Sequence, residues 1–147
     1  MNAHWNTPPP PPRVLVAEDD DEIRALIVTV LRHDDYTVME AGDGDELLAI
    51  VASPISRNPP DLIVSDVRLP GCSGLDAIET LREHDRITPI LLVTAYLDGN
   101  VHDRARDLRV QRIFQKPFDL CELREEVLRL APLKAFQYLK WPPRDVV

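Results

Sequence analysis

Several things are scarce or missing in this chain of 147 residues, and each absence removes a class of function. There are only two cysteines, Cys72 and Cys121. Two thiols make no disulfide framework, which points to a reducing compartment. No apolar run approaches the roughly 18–20 residues that a membrane span needs, so membrane insertion is not expected. Residues 1–5 lack the basic and apolar regions of a secretory signal. A basic surplus is also missing: 25 acids against 17 Lys and Arg leave a formal net charge of −8. Direct nucleic-acid binding demands a basic footprint and is therefore not expected. His4, His33, His84 and His102 show no metal-ligand spacing. The length suits one domain with a single core, and a cytoplasmic setting is the expectation.

Proline is abundant instead. The chain has 14, about twice the usual share of ~5%. Five of them form the run at 8–12, which favours an extended polyproline conformation. Residues 1–12 are expected to be a proline-rich disordered arm that packs no core. Residues 132–147 form a tail with Phe136, Tyr138, Leu139, Trp141, Pro142 and Pro143, too short for an output domain of its own. The body is expected to span residues 13–131.

That body alternates short apolar runs with helical patterns. Strands are expected at 14–17, at 36–40, at 62–64 ending at Ser65-Asp66, at 90–93 ending at Thr94, and at 110–114. Ile23, Leu26, Ile27, Val30 and Leu31 recur at helical spacing after the first strand. A second helix is expected at 43–52, capped by Asp43. Leu75, Ile78 and Leu81 mark the third, and Leu120, Leu123, Val127, Leu128 and Leu130 the fifth. The fourth, at 98–108, has the weakest apolar pattern. Five strand–helix units with apolar strands predict a doubly wound α/β sandwich around a five-stranded parallel sheet. In such sheets the ligand site lies beyond the carboxyl ends of the strands.

That rule gathers particular residues. The first strand ends in Glu18 and Asp19, the third in Asp66, the fourth in Thr94 and the fifth in Lys116. Clustered carboxylates repel one another and invite a hard cation, and Mg²⁺ takes oxygen ligands. Asp19 and Asp66 are the expected direct ligands, with Glu18 holding a coordinated water. A carboxylate beside the metal can attack phosphorus, while metal, hydroxyl and ammonium neutralise the transferring group. The constellation reads as phosphoryl acceptance.

These stretches carry a family resemblance. Val14-Leu15-Val16-Ala17-Glu18-Asp19-Asp20, Asp61-Leu62-Ile63-Val64-Ser65-Asp66-Val67-Arg68-Leu69-Pro70-Gly71, Val93-Thr94-Ala95 and Gln115-Lys116-Pro117-Phe118 resemble the receiver domain of two-component response regulators, a flavodoxin-like fold. The separations agree, at 28 residues from Asp66 to Thr94 and 22 from Thr94 to Lys116. The resemblance implies that Asp66 is the phosphorylation site, served by a sensor histidine kinase or a histidine phosphotransfer protein. It implies Mg²⁺ at Glu18, Asp19, Asp66 and the backbone carbonyl of Arg68, with Thr94 and Lys116 on the phosphoryl oxygens as the other catalytic residues. It implies a cis Lys116–Pro117 bond and catalysis limited to the domain's own phosphorylation and dephosphorylation. It also implies a downstream protein partner and a possible homodimer through the face of helix 4, strand 5 and helix 5.

The chain departs from the family pattern at several places. Glu18 stands where Asp is commonest. Ile113 stands where receivers carry Tyr or Phe, whose rotation couples to the Thr94 switch position. Adjacent strand residues face opposite ways, so Phe114 is expected in the core and not as a substitute. Arg109 and Val110 replace a Gly-Ala before the fifth strand. Arg68 and Tyr96, each two residues beyond a site residue, are candidates for bordering the path of an attacking water, with Arg68 holding a Glu or the phosphate. Arg104, Arg106, Arg109 and Arg112 cluster around the fourth helix and fifth strand, read either as a match for an acidic partner surface or as a solvated basic face. Two readings stay open: a phosphoacceptor, or an interaction module that keeps the fold without phosphorylation.

Overall fold

The structure, a computed structural model, describes residues 10–53 and 59–133. Five strands alternate with five helices: β1 Arg13–Ala17, α1 Asp21–His33, β2 Thr37–Ala41, α2 Gly44–Val51, β3 Leu62–Ser65, α3 Gly74–Arg82, β4 Ile90–Thr94, α4 Gly99–Asp107, β5 Arg112–Gln115 and α5 Leu120–Leu130. The sheet is parallel throughout, in the order β2-β1-β3-β4-β5. The expected sandwich is the observed one.

Both faces of the sheet are covered, which is why the central strands read as unbroken apolar runs. Leu15, Ala17, Ile63, Ile90 and Leu92 pack with Leu47, Leu75, Ile78, Val101 and Ala105 from α2, α3 and α4. Val14, Val16, Leu62, Val64, Leu91 and Val93 pack with Ile27, Leu31, Leu123 and Val127 from α1 and α5. The strand period of two sends Phe114 into the second cluster, while Ile113 packs against the first. Phe114 is thus core, as its place beside Ile113 implied.

All five helices start at a side-chain cap. Asp20, Asp43, Ser73, Asp98 and Asp119 each accept a backbone N–H of the first turn. Four of the acids that give the chain its charge are therefore structural. The cap on α4 matters most, since only Val101 and Ala105 of that helix are buried. Its far end is closed by the Arg109 and Val110 N–H groups bonding to the Arg106 and Ala105 carbonyls, with Arg109 at φ 59°. Asp35, at φ 76°, closes α1 in the same way through Arg32 and Leu31. Both are left-handed closures at positions glycine usually fills.

Three boundaries differ from expectation. The β5 strand starts at Arg112 and not at 110, because Val110 N–H is spent closing α4. The β2 strand runs from Thr37, since Tyr36 completes the closure of α1. Pro12, expected in the arm, is buried, and its carbonyl accepts the Thr37 N–H. Residues 1–9 of the arm, 54–58 of the loop before β3 and the tail from residue 134 lie outside the described residues.

Candidate functional site

Strand ends and the loops after them build the site at the carboxyl edge of the sheet. Glu18 and Asp19 follow β1, Asp66 follows β3, and Lys116 follows β5. Glu18 and Asp66 are buried, whereas Asp19 is exposed. One carboxylate oxygen from each lies within 4.8 Å of the others. A cleft of about 410 Å³ opens over them, bordered by Asp20, Ile23, Arg68, Pro70 and Tyr96.

Lys116 is the counter-charge. Its Nζ donates to Glu18 Oε1 and, at 2.7 Å, to Asp66 Oδ2. The other Asp66 oxygen accepts the Arg68 N–H at 3.2 Å. Burial pulls the Lys116 pKa down, but its bonds to Asp66 and Glu18 outweigh that and raise it above the ordinary 10.5. Burial pushes the Glu18 carboxyl up from 4.5, against the pull of the Lys116 hydrogen bond. One ammonium thus faces three carboxylates. The oxygen-only donor set and its uncancelled negative charge fit Mg²⁺, with the Lys116 ammonium marking where a cation is already favoured. Receiver domains bind Mg²⁺ at such an acidic pocket.

The remaining expected residues fall in different places. Thr94 is fully buried, and its hydroxyl accepts the Tyr96 N–H at 3.0 Å. It does not line the cleft, although its own O–H proton is left to donate. Its carbonyl accepts the Lys116 N–H at 2.8 Å, which ties the two strand ends together. Ile113 is partly buried under α4 and is not at the cleft. The Lys116–Pro117 bond is cis. Arg68 makes no ion pair with a glutamate among the described residues; its guanidinium carbon sits 3.8 Å from the Tyr96 ring centroid, a cation–π stack between two residues that line the cleft.

Nor do the four arginines make a basic face. Arg104 pairs with Asp76 and Glu79, Arg106 with Asp103, and Arg112 with Glu122 and Glu126. Arg109 serves as the left-handed residue closing α4. The fold brings three of the four beside an acid on their own or a neighbouring element, which one-dimensional charge patterning does not reveal.

Two supporting residues escaped the sequence reading. Arg24, on α1, donates to the Glu18 carbonyl at 2.7 Å and also pairs with Asp21 and Glu40. A lone arginine six residues after Glu18, amid acids, was the available signal. Gly74 opens α3 directly behind the site. A Cβ there would come 1.9 Å from the Asp66 carbonyl oxygen, so only glycine lets α3 pack against that peptide.

Comparison with known proteins agrees with this geometry. A family model described as the response regulator receiver domain matches residues 14–128. Sporulation initiation phosphotransferase F of Bacillus subtilis is 29% identical over 113 residues, which cover 77% of this chain and 88% of that protein. The transcriptional regulatory protein PdtaR of Mycobacterium tuberculosis is 36% identical over 102 residues, 69% of this chain but only 47% of that longer protein. Among solved structures, the non-phosphorylated HemR receiver domain of Leptospira biflexa superposes with a TM-score of 0.74 at 30% identity, covering 83% of this chain and 95% of that one. The chemotaxis protein CheY4 of Vibrio cholerae gives 0.70 at 27%, covering 81% and 98%. With four ordered motifs, a five-stranded parallel sheet and an acidic pocket at its carboxyl edge, the chain belongs to the response regulator receiver domain family.

Proposed function

We propose that Asp66 is the phosphoacceptor and that the phosphoryl group comes from a phosphohistidine of a sensor kinase or phosphotransfer protein. The observation that carries this is the buried Asp66 carboxylate at the floor of an open cleft, held on one oxygen by the Lys116 ammonium and on the other by the Arg68 N–H. Both bonds fix the carboxylate's direction before any substrate arrives, which lowers the orientational cost of attack. An Asp66 oxygen forms the new bond to phosphorus. The bond from phosphorus to the donor imidazole breaks, and its electron pair stays on that nitrogen, which takes a proton. Lys116 follows the developing charge onto the phosphoryl oxygens, and the Thr94 O–H proton is turned toward them.

Glu18, Asp19, Asp66 and the Arg68 carbonyl are the proposed holders of Mg²⁺. When bound, the ion neutralises phosphoryl charge that Lys116 cannot cover alone. Catalysis by the chain itself is limited to gaining and losing this group, in a cytoplasmic setting. Residues 13–131 are the proposed receiver, flanked by an arm and a tail. The donor docks beside the cleft, where Ile23, Leu26, Pro117, Phe118 and Leu120 line an apolar groove of about 420 Å³. Leu26 is 59% exposed there, and the groove shares Ile23 and Lys116 with the site cleft. A downstream protein, or a second copy on the α4–β5–α5 face, reads the modified state.

Incubation with acetyl phosphate and Mg²⁺, followed by intact mass measurement, tests the reading. One added phosphoryl group is expected, absent without Mg²⁺ and absent in Asp66→Asn. No gain in the unmodified chain favours the second reading, an interaction module that needs no phosphorylation. The one observation on its side is Ile113, which lacks a ring to swing.

A further inference from the structure

Glu18 is held at every polar atom. Its N–H donates to the Ala41 carbonyl at 3.0 Å, and its carboxylate oxygens accept Lys116 Nζ and the Asp20 N–H. The remaining atom, the Glu18 carbonyl oxygen, accepts Arg24 Nη1 at 2.7 Å. That carbonyl belongs to the planar peptide joining Glu18 to Asp19, so its direction governs how both carboxylates leave the backbone.

Arg24 is itself fixed from several sides. Its Nη2 donates to Asp21 at 2.8 Å and its Nε to Glu40 at 3.2 Å. The three nitrogens thus serve three acceptors, one after β1, one in the first turn of α1 and one on β2. The guanidinium passes Gly42, whose Cβ position lies 3.5 Å from Nη1, and the side chain is only 19% exposed. Arg32 holds Glu40 in turn, at 3.5 Å. A planar fork with three partners has one orientation, which the single ammonium of a lysine cannot reproduce.

By charge alone this arginine is misplaced. It stands beside the five consecutive acids at 18–22, where a fixed cation opposes the binding of another. Its ion pairs are with Asp21 and Glu40, and none among the described residues is with Glu18, Asp19 or Asp66. What Arg24 supplies to the pocket is therefore direction. Direction matters more to Mg²⁺ than to Ca²⁺. The smaller ion demands near-octahedral oxygens at short range, whereas Ca²⁺ accepts larger and less regular shells.

We infer that Arg24 is a positioning residue that sets the preference of the acidic pocket for Mg²⁺ over Ca²⁺, by locking the Glu18–Asp19 peptide to α1 and β2. The inference rests on the proposed Mg²⁺ site and assigns its ion selectivity to a residue that touches none of its carboxylates.

Calorimetric titration of the full chain with Mg²⁺ and, separately, with Ca²⁺ tests it. Arg24→Met should weaken Mg²⁺ binding about 10-fold, the usual scale for losing a residue that orients a metal ligand. Ca²⁺ binding should weaken by a clearly smaller factor. Arg24→Lys keeps the charge without the fork, and its selectivity should fall in the same direction. Arg32→Met is the control. It removes a cation of the same helix whose partners are Glu40 and the Val38 carbonyl, so both affinities should hold. Tighter binding of both ions by Arg24→Met overturns the inference, because Arg24 would then act only as a charge. Equal weakening of both ions overturns it too, since a general loosening of the fold treats them alike. So does an Arg24→Lys variant that matches the unmodified chain. If the unmodified chain binds no Mg²⁺, the metal site itself is overturned before any variant is compared.

Discussion

The two ends of the sheet handle polar groups in opposite ways. At the amino edge, Arg82 gives its guanidinium to the carbonyls of Leu108, Asp85 and Thr88. Tyr36 caps the Ala131 carbonyl, and Asp85 accepts from Ile87 and Thr88. Each of these polar groups is matched by the protein itself, and the result is closure of helices and loops. At the carboxyl edge three carboxylates, Glu18, Asp19 and Asp66, gather around a single ammonium that pairs only with Glu18 and Asp66. That imbalance leaves binding capacity for something from outside. Matched polar groups build a frame, whereas unmatched ones wait for a ligand.

The sharpest way to break this contrast is to remove the shared ammonium. Lys116→Met should slow phosphoryl incorporation from acetyl phosphate by about 100-fold or more, the usual scale for losing one charge-stabilising donor. The same change should tighten Mg²⁺ binding, because Lys116 no longer competes for Glu18 and Asp66. A labelling time course and a Mg²⁺ titration measure the two effects separately.

Next in size is the backbone behind the site. Gly74→Ala should cost about 3 kcal/mol in urea unfolding, since its Cβ would meet the Asp66 carbonyl at 1.9 Å. Gly99→Ala is the control: nothing lies within 4 Å of its Cβ position, so its stability should change by under about 0.5 kcal/mol. Equal losses at both positions would show that α3 does not press on the acceptor strand.

At the opposite edge, Tyr36→Phe should cost about 1 kcal/mol by orphaning the Ala131 carbonyl. It should also alter the alkaline limb. Burial holds the Tyr36 phenol well above its ordinary value of 10. Above pH 10 the unfolded chain loses that proton while the folded one keeps it. The Tyr36 contribution is therefore complete below pH 10 and declines as pH rises beyond it, and the Phe variant should lack that decline. The smallest effect is a gain. Arg109→Gly should stabilise by about 0.5–1 kcal/mol, because the position is left-handed and arginine is strained there. An unchanged melting midpoint would show that Arg109 carries no such strain.

Much of this was legible in one dimension, for identifiable reasons. Buried parallel strands leave apolar runs, so Leu62-Ile63-Val64 and Ile90-Leu91-Leu92-Val93 announce themselves. The rule that ligands meet at carboxyl ends then assembles Glu18, Asp19, Asp66 and Lys116 from nothing but strand order. The weakly apolar α4 was harder to read, because its definition rests on the Asp98 cap and the Arg109 closure. The stack of Arg68 on Tyr96 was hidden because the two residues stand 28 positions apart on different loops. The pairing of Arg104 and Arg112 was hidden because α3 and α5 bring acids beside them.

The sequence by itself determined which residue types stand at the strand ends and how many charges they carry. Alternation and run length suffice for that, because both follow from backbone geometry local to each element. Tertiary structure alone decided which charges stay unmatched. Arg104 and Arg112 found acids, Thr94 turned its hydroxyl to Tyr96, and Lys116 was left as one cation among three carboxylates. Pairing depends on distances of a few ångströms between segments far apart in the chain, and only packing sets those distances.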